Sequence, residues 1–270
     1  MEIDISIIMG IYNCAETLSE AINSIIQQTC NSWELIMCDD GSSDDTFEIA
    51  KKYADKYPEQ IIVIKNSENM GLNYTLNHCL EYVRGKYIAR MDGDDISLPN
   101  RLEIEKEFLD THLDYAIVST PMIFFDENGD WGESKAIEIP KLSDFVFHAP
   151  FHCHAPCMIR TEAMKKVQGY TVDKRLLRYE DCNLWYKLYS AGYQGYNIQQ
   201  SLYKMRDDRN AYLRRSPSSR LRAVYVQWVG FRMIKMPLKY YPYLLVEFLK
   251  SVLILLLPEG IYQKLHRRNK

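Results

Sequence analysis

The sequence lacks several features that define common classes of protein. Its 33 lysines and arginines are balanced by 36 aspartates and glutamates, whereas a nucleic-acid-binding protein is usually basic, with its cations clustered. Neither a glycine-rich phosphate loop nor a Walker motif is present. These absences argue against nucleic-acid binding, against hydride transfer and against phosphoryl transfer from a P-loop nucleotide.

The N-terminal residues do not have the pattern of a secretory signal peptide. Two acidic residues stand within Met1–Asp4, and the apolar run Ile5–Met9 is too short for the hydrophobic core of a signal peptide. We therefore expect a cytoplasmic protein.

The seven cysteines give an odd count, which argues against a disulfide framework in a chain without a leader. Cys153 and Cys157 stand beside His152 and His154, which raises the alternative of a zinc site. A structural zinc site usually shows two paired clusters of ligands, and only one is seen here. Buried, reduced thiols are the favoured interpretation.

Strand-like and helix-like patterns alternate over the first 95 residues. This alternation predicts an α/β fold with a mostly parallel central sheet and helices on both faces. Right-handed crossovers then place the carboxyl ends of the strands at one edge, where ligands bind. The predicted strands are Ile5–Met9, Glu34–Cys38, Ile61–Lys65 and Lys86–Met91, and the predicted helices are Asn13–Cys30, Thr46–Tyr57 and Leu72–Arg84.

The alternation fades after Asp95, and the expected elements become less regular. One longer strand is predicted over Tyr115–Phe125, and helices are predicted over Pro99–Leu109, Thr161–Val167 and Asp181–Ala191.

Paired acids follow two of the predicted strands. Asp39 and Asp40 follow the second strand, and Asp92 and Asp94 follow the fourth, with Gly93 between them. Like charges gathered at strand ends repel one another, and a divalent cation is the simplest partner because hard cations prefer carboxylate oxygen. Mg²⁺ or Mn²⁺ binds through one or two carboxylates plus substrate phosphates, and a small Gly93 would leave room for a phosphate. The alternative is an acidic surface turn solvated by water.

A second acidic site, Glu180 and Asp181, precedes an aromatic-rich predicted helix. One interpretation is a helix cap, the usual role of a carboxylate at that position. The other is a catalytic base. Transfer of a group to a hydroxyl needs a base to take the proton of that hydroxyl, and a single protein base suffices where a metal neutralises a leaving diphosphate.

Taken together, these segments resemble family 2 glycosyltransferases of the GT-A fold, in particular bacterial members that build capsule, lipopolysaccharide or other surface glycans. The matching segments occur in the family's order and cover roughly residues 3–215. They are Ser6–Asn13, Gln28–Thr29, Trp33–Ile36, Asp39–Asp44, Asn69–Leu72, Leu76–Asn77, Gly85–Asp95, Pro99–Leu102, His154, Met158–Arg160, Gly169–Tyr170 and Glu180–Trp185.

The resemblance implies a role for each matching site residue. Tyr12 would pack on the nucleotide base, and Asp40 or its neighbour Asp39 would hydrogen-bond it, as expected for uracil. Asp92 and Asp94 match the family's Asp-x-Asp motif, which would contact the nucleotide and hold Mg²⁺ or Mn²⁺, with Asp94 the more direct metal ligand.

The resemblance also assigns the second acidic site. Asp181 matches the catalytic base of the family and Glu180 would orient it, so the implied reaction is inverting transfer of a sugar from a nucleotide-diphosphate donor. The implied acceptor is a hydroxyl of a glycan or of a lipid-linked molecule.

The sequence departs from the family pattern at several positions. Gly10 stands where many members have Pro or Thr, and Leu76 where many have an arginine that contacts the donor. The segment Tyr203–Asp208 lacks a histidine that often follows the base, and Arg206 is a candidate for a phosphate contact in its place. His154 is a candidate for an acceptor or phosphate contact. The alternative for Arg206 is an exposed arginine on a loop. The alternative for His154 is a structural histidine whose hydrogen bonds are satisfied within the protein.

The C-terminal segment differs in character from the preceding residues. Leu221–Met236 mixes cations with bulky side chains, and an apolar run, interrupted by Glu247 and Lys250, extends to Leu257. This run is too short to span a bilayer, which takes about 20 apolar residues. We expect a catalytic domain over residues 1–215 and a helical tail over residues 216–270. The tail either lies at the inner face of the cytoplasmic membrane or packs on the catalytic domain or on a dimer partner.

Three functional hypotheses follow from the sequence. The first is an active, metal-dependent glycosyltransferase. The second is a GT-A-like scaffold that binds a nucleotide or glycan without turnover, for which the metal motif or the base should be lost. The third is a nucleotidyltransferase acting on sugar phosphates, which usually needs the glycine-rich loop that is missing here.

Overall fold

A computed structural model of the protein describes residues 3–147, 151–207 and 218–255. The elements up to residue 90 are β1 (Ile5–Ile11), α1 (Leu18–Ile26), β2 (Trp33–Asp39), α2 (Thr46–Lys56), β3 (Ile61–Lys65), α3 (Leu72–Leu80) and β4 (Tyr87–Arg90). They follow the predicted alternation.

The middle of the chain contributes shorter elements. They are β5 (Ile96–Ser97), α4 (Arg101–Thr111), β6 (Ile117–Ser119), β7 (Met122–Asp126), β8 (Gly129–Glu133), α5 (Asp144–Phe147), β9 (Met158–Arg160), α6 (Thr161–Lys166), α7 (Glu180–Ser190), β10 (Gly195–Asn197) and β11 (Tyr203–Arg206). The tail contributes α8 (Ser218–Met233) and α9 (Tyr241–Leu255).

The central sheet has seven strands in the order β10-β6-β9-β4-β1-β2-β3. Its pairs are parallel except at β9, which runs antiparallel to both β4 and β6. Every residue of β2 is buried, as expected for a strand covered by helices on both faces. The predicted α/β class with a mostly parallel sheet is confirmed.

A second sheet of four strands has the order β5-β11-β7-β8. The single strand predicted over Tyr115–Phe125 was wrong, because the chain breaks there into β6 in the central sheet and β7 in the second sheet. Thr120 and Pro121 lie between the two strands, and a proline cannot donate a hydrogen bond to a sheet.

The first predicted helix was too long at its start. The chain remains a loop from Tyr12 to Thr17, and its backbone N–H groups donate to side chains of the β2–α2 turn instead of entering a helix. The N–H of Asn13 donates to Ser42 Oγ at 3.0 Å, and that of Cys14 to Thr46 Oγ1 at 2.8 Å. Two turns at the same sheet edge are thereby joined.

The register of the central strands brings the predicted site residues to one edge. Ile11 lies opposite Asp39 in the β1–β2 pair, and Ile8 lies opposite Arg90 in the β1–β4 pair. The segment that follows β4 continues alongside β1, since the N–H of Met91 donates to Ile8 O at 3.1 Å.

The cysteines confirm the expectation of reduced thiols. All seven are free, and five of them are buried. His152 is fully buried between Asn197 and Tyr189, and its ring nitrogens lie 2.7 Å and 3.0 Å from their side-chain oxygens. No zinc cluster forms among the described residues.

The described part of the tail is helical, as predicted, and α8 packs on the catalytic domain. Phe231 belongs to the same buried cluster as Trp185 and Tyr186 of α7. A Cβ atom added at Gly230 would lie 2.2 Å from the Tyr186 ring, so only glycine allows this close approach. Within the described residues, no helix is both long and apolar enough to cross a membrane.

Two residues of α8 provide a test of this packing. Phe231 is fully buried, whereas Trp228 is 43% exposed. Phe231→Ala should lower the free energy of unfolding by about 3–5 kcal/mol, the usual effect of emptying a buried aromatic site. Trp228→Ala should change it much less. Chemical denaturation measures both, and equal effects would contradict the packing of α8 against α7.

Candidate active site

Tyr12 lies just beyond the carboxyl end of β1 and is 50% exposed. It lines a cleft of about 520 Å³ at the sheet edge, together with Asp44, Asp92, Asp94 and Arg206. An exposed aromatic ring beside an open cleft can stack on a flat ligand such as a nucleotide base.

The two carboxylates after β2 differ in how fully they are used within the protein. Asp40 accepts three hydrogen bonds, from Asn66 Nδ2 at 2.8 Å and from the backbone N–H groups of Met70 at 2.8 Å and Gly71 at 2.9 Å. Asp40 therefore fastens the loop that precedes α3 to the sheet edge.

Asp39 is also buried, but one of its oxygens is unused. Its Oδ2 accepts from the Ser42 N–H at 3.2 Å and lies 3.6 Å from Lys65 Nζ. Its Oδ1 is buried and has no partner within the described residues. An unpaired buried acceptor is costly unless a ligand or water completes it. Of the two residues, Asp39 is the one with a free acceptor.

The two carboxylates after β4 also differ in how fully protein groups engage them. Asp92 forms a bidentate ion pair with Arg90, with nitrogen–oxygen distances of 2.8 Å and 2.5 Å. Asp94 is exposed, and its carboxylate makes no hydrogen bond or ion pair with the described residues. Protein packed around the carboxyl and the charge of Asp92 raise the pKa of Asp94. A cation bound at Asp94 would relieve this repulsion.

Gly93 packs closely on the end of β1 and on the loop that follows it. It is buried, and an added Cβ would lie 2.9 Å from Cys14 Sγ and 3.2 Å from the Ile11 side chain. Its carbonyl accepts a hydrogen bond from Thr17 Oγ1 at 3.0 Å. Glycine is thus required by this packing, and since Gly93 also lines the cleft, the expectation that it leaves room for a phosphate stays a prediction.

The donor set fits a metal that is shared with a substrate. No group of three or more His, Cys, Asp or Glu side chains in the described chain could hold a metal alone. Asp92 and Asp94 both line the cleft, and Mg²⁺ or Mn²⁺ characteristically takes one or two carboxylates and completes its shell with phosphate oxygens and water. The residues present fit that mode of binding.

Glu180 and Asp181 form the first turn of α7. Tyr179 occupies the cap position, and Asp181 Oδ1 accepts from the Cys182 N–H at 2.7 Å. Burial is the main cause that raises the pKa of Asp181, and it also raises the pKa of Glu180. A carboxylate destabilised in this way holds a proton more readily, which suits a general base.

Arg90 connects the two acidic sites. Its buried guanidinium pairs with Asp92 and also acts through its charge to lower the pKa values of Glu180 and Asp181, against the effect of burial. Both acidic sites therefore lie within electrostatic reach of the same guanidinium.

His154 lies beside this region and is engaged by neighbours. Its Nε2 is 2.9 Å from the Tyr170 hydroxyl, and its ring packs edge-on against Tyr170 and Trp185. Burial and the nearby Arg90 charge lower its pKa well below the usual value, so the ring is neutral. These contacts are those of a satisfied structural histidine.

Arg206 lies on strand β11, so the alternative of an exposed arginine on a loop was wrong. Its backbone N–H donates to Asp95 Oδ1 at 2.8 Å, and its Nε donates to the Asp94 carbonyl at 2.9 Å. Its Nη2 pairs with Glu20. Arg206 thus braces the turn that carries Asp94 and also faces the cleft. Asp208 lies outside the described residues.

Leu76 stands where many members of the family have an arginine that contacts the donor. Its side chain is fully buried.

Sequence reasoning missed Arg90, Asn66 and Tyr203 as parts of the site. Tyr203 accepts from the Asp92 N–H at 3.2 Å. The signal available for Arg90 was a charged residue at the end of an otherwise apolar buried strand.

The geometry now defines a nucleotide-diphospho-sugar type of site: a parallel sheet edge with an exposed aromatic residue, an Asp-x-Asp turn in which Asp92 pairs with Arg90 while Asp94 faces the cleft, and a half-buried acid on a neighbouring helix. The profile of "Glycosyl transferase family 2" matches residues 6–168. The chain belongs to this family, and it is a glycosyltransferase.

Two relatives show the extent of the similarity. The chain is 40% identical over 264 residues to the putative glycosyltransferase EpsE of Bacillus subtilis, covering 98% of this chain and 93% of that protein. It is 28% identical over 209 residues to an Escherichia coli protein, covering 72% and 73% of the two chains. That protein is named UDP-Glc:alpha-D-GlcNAc-diphosphoundecaprenol beta-1,3-glucosyltransferase WfaP.

A solved structure shares the fold. TarS residues 1–349 of S. aureus, in complex with UDP-GlcNAc, superposes with a TM-score of 0.68 at 17% identity, covering 96% of this chain and 83% of that one. The expected GT-A fold is thereby confirmed.

The unequal use of Asp92 and Asp94 predicts unequal effects of neutralising them. Asp94→Asn should weaken Mn²⁺-dependent binding of UDP by more than about 100-fold, because loss of an outer-shell partner alone typically costs about 10- to 100-fold. Asp92→Asn should cost about 10-fold or less, because Arg90 already occupies that carboxylate. Calorimetry with and without a chelator measures both. Equal losses, or UDP affinity that ignores the chelator in the unaltered protein, would contradict the assignment.

Proposed function

We propose that the protein transfers a sugar from a UDP-sugar to a hydroxyl of a glycan or lipid-linked acceptor, with inversion at the anomeric carbon. The observation that carries the proposal is the placement of two chemically different carboxylates around Arg90. Asp94 has no side-chain partner among the described residues and faces a cleft, while Asp181 stands at the start of α7 with a raised pKa.

The nucleotide would bind at the β1 and β2 ends. Tyr12 would stack on the base, and Asp39 Oδ1, the unpaired acceptor, would take the hydrogen bond from the uracil N–H. Asp40 is less suited to this contact because its two oxygens already accept three hydrogen bonds. Relatives support a UDP donor, since WfaP is named for UDP-Glc and the TarS complex contains UDP-GlcNAc.

The diphosphate would lie beside Asp92 and Asp94. Asp94, with Asp92 behind it, would hold Mg²⁺ or Mn²⁺ together with the phosphates, and the bound cation would neutralise the charge of the leaving group. Arg206 lines the same cleft and supplies a second positive charge near the phosphates. His154 serves the fold through Tyr170 rather than contacting the acceptor.

Asp181 would act as the base. It would take the acceptor's hydroxyl proton as that oxygen attacks the anomeric carbon from the face opposite the leaving diphosphate. One displacement inverts the anomeric configuration. Glu180, the preceding residue, would keep the carboxyl pair desolvated and orient Asp181, and its own raised pKa reflects that shared burial.

The alternative function, a GT-A-like scaffold without turnover, is disfavoured. A scaffold has no need to keep a partner-free carboxylate in the cleft or a buried acid nearby, and both impose an electrostatic cost. Release of UDP on addition of an acceptor separates the two functions.

The tail supports an acceptor attached to a membrane. In α9 the side chains of Leu245, Phe248, Leu249 and Leu253 are between 45% and 64% exposed. An exposed apolar helix face beside cations is typical of helices that lie in the membrane interface.

We propose that residues 1–215 form the catalytic domain. Residues 216–270 would hold it at the inner face of the cytoplasmic membrane, where surface polysaccharides are assembled on lipid carriers. The basic end, His266–Lys270, lies outside the described residues.

Replacing the proposed base tests the mechanism. Asp181→Asn should lower kcat by about 100- to 10,000-fold, the contribution of a general base, while UDP affinity changes little. Because burial raises the Asp181 pKa above 3.8, transfer by the unaltered enzyme should fall with decreasing pH before that value is reached, as the base becomes protonated.

Stability provides the control for this variant. A carboxyl whose pKa is raised by folding binds its proton more tightly in the folded state, so its contribution to stability is lost as pH rises through the folded pKa. Asp181→Asn should therefore leave the melting temperature at neutral pH unchanged or higher. Turnover equal to that of the unaltered enzyme would remove Asp181 as the base.

Lipid vesicles test the proposed membrane contact. The full-length protein should float with vesicles containing phosphatidylglycerol, and the double variant Leu245→Ser, Leu249→Ser should stay in solution. Leu113→Ser is a matched control, since Leu113 is 77% exposed but precedes β6 in the catalytic domain. Flotation of the double variant at the level of the control would show that α9 does not bind the membrane.

A further inference from the structure

Arg90 is the buried cation at the centre of the acidic site. It ends strand β4, is 5% exposed, and forms two hydrogen bonds with Asp92. An ion pair between a buried guanidinium and a half-buried carboxylate contributes little net stability, because desolvation offsets much of the attraction between the charges. Its presence therefore calls for a role other than holding the fold together.

The hydrogen bonds of Arg90 support such a role. Its Nε is buried and has no hydrogen-bond partner in the part of the chain that is described. A second buried arginine on the adjacent strand, Arg160, is satisfied differently: it donates to the backbone carbonyls of Tyr115 and Leu109 at 2.9 Å and 2.6 Å. Arg160 joins backbone segments, whereas Arg90 is directed at an acidic side chain of the site.

The turn around Asp92 is fixed from several sides. Tyr203 accepts its backbone N–H, Arg206 holds the Asp94 carbonyl, and Thr17 holds the Gly93 carbonyl. With the backbone restrained in this way, the bidentate pair with Arg90 fixes the Asp92 side chain as well. Both oxygens of Asp92 are then occupied by a cation that the protein supplies.

We propose that Arg90 is a positioning residue that withholds Asp92 from direct metal coordination. Of the Asp-x-Asp pair, only Asp94 is then left for the cation, and the donor's diphosphate must supply most of the remaining ligands. This inference rests on the proposed function. It predicts that the protein binds the cation together with the nucleotide and only weakly without it, because one carboxylate is a poor site for a hard divalent ion.

The test measures Mn²⁺ binding by the nucleotide-free protein, using the electron paramagnetic resonance signal of free Mn²⁺. Arg90→Gln removes the competing cation and releases Asp92, so Mn²⁺ affinity without nucleotide should rise by about tenfold, the order expected when one unit charge leaves a partly solvated site. In the same variant kcat should fall by about 10- to 100-fold, because Asp92 is no longer held in position.

Arg160→Gln is the matched control, since it removes a buried arginine from the neighbouring strand. It should lower the melting temperature and leave Mn²⁺ affinity unchanged. If Arg90→Gln also weakens Mn²⁺ binding or leaves it unchanged, Arg90 does not compete for Asp92 and the proposal is wrong. The Mn²⁺ measurement needs no turnover, so it decides the role of Arg90 even if the unaltered protein transfers no sugar and the proposed function fails.

Arg90→Lys covers the case in which the glutamine variant does not fold. Lysine keeps the charge but cannot form the bidentate pair. Mn²⁺ affinity without nucleotide should then stay within about twofold of the unaltered protein, because the competing charge remains. The value of kcat should still fall. Full activity of Arg90→Lys would show that the fixed orientation of Asp92 is not required and would overturn the proposal.

Discussion

The ion pair between Arg90 and Asp92 is the interaction on which the acidic edge of the sheet depends. Asp92, Asp94 and Asp95 follow one another within four positions, and burial together with their mutual repulsion raises the pKa values of Asp94 and Asp95. Without an internal cation, this turn would be held only by its backbone contacts. Arg90 neutralises one of the three charges, and the remaining excess of negative charge would attract a divalent ion.

The two carboxylates differ in the same way at both acidic strand ends. In each pair one carboxylate has its oxygens engaged by protein groups, and the other has an oxygen without a partner among the described residues. Asp40 is saturated by Asn66 and two backbone N–H groups, while Asp39 keeps an unpaired oxygen. A pair of acids therefore does not mean two ligand contacts. One carboxylate of each pair fixes the structure of the site, and the other is available to a ligand.

Much of the fold and of the site could be predicted from the sequence, because the strands that carry the site are continuous apolar runs ending in acids. The strand at Ile61–Lys65 has the bounds predicted for it, and the α4, α6 and α7 bounds lie within two residues of the predictions. The Asp-x-Asp turn lines a cleft at the sheet edge, and Glu180 and Asp181 begin a helix at the position where one was predicted. These features depend on residues that are close together in the sequence, so the pattern of apolar residues followed by acids predicts them directly.

The elements that were missed depend on contacts between distant segments. The short strands β9, β10 and β11 have three or four residues each, too few to show a period, and they exist because neighbouring strands complete their hydrogen bonds. The choice between Asp39 and Asp40 was left open for a similar reason. It is decided by Asn66, Met70 and Gly71, which lie 26 to 31 positions away. The packing role of Gly93 was not predicted, because its neighbours Ile11 and Cys14 lie at the end of β1 and in the loop after it, far away in the sequence.

The close approach of Gly230 to Tyr186 has a consequence for how the enzyme is organised. Tyr186 lies on α7, one and a half turns after Asp181, so the helix that carries the proposed base at one end receives the tail on its flank. The tail and Asp181, the proposed base, are therefore both joined to helix α7. Shortening the chain before α8 would uncover the buried aromatic residues of that helix, so such a truncation would disturb the helix that carries Asp181 as well as remove the tail.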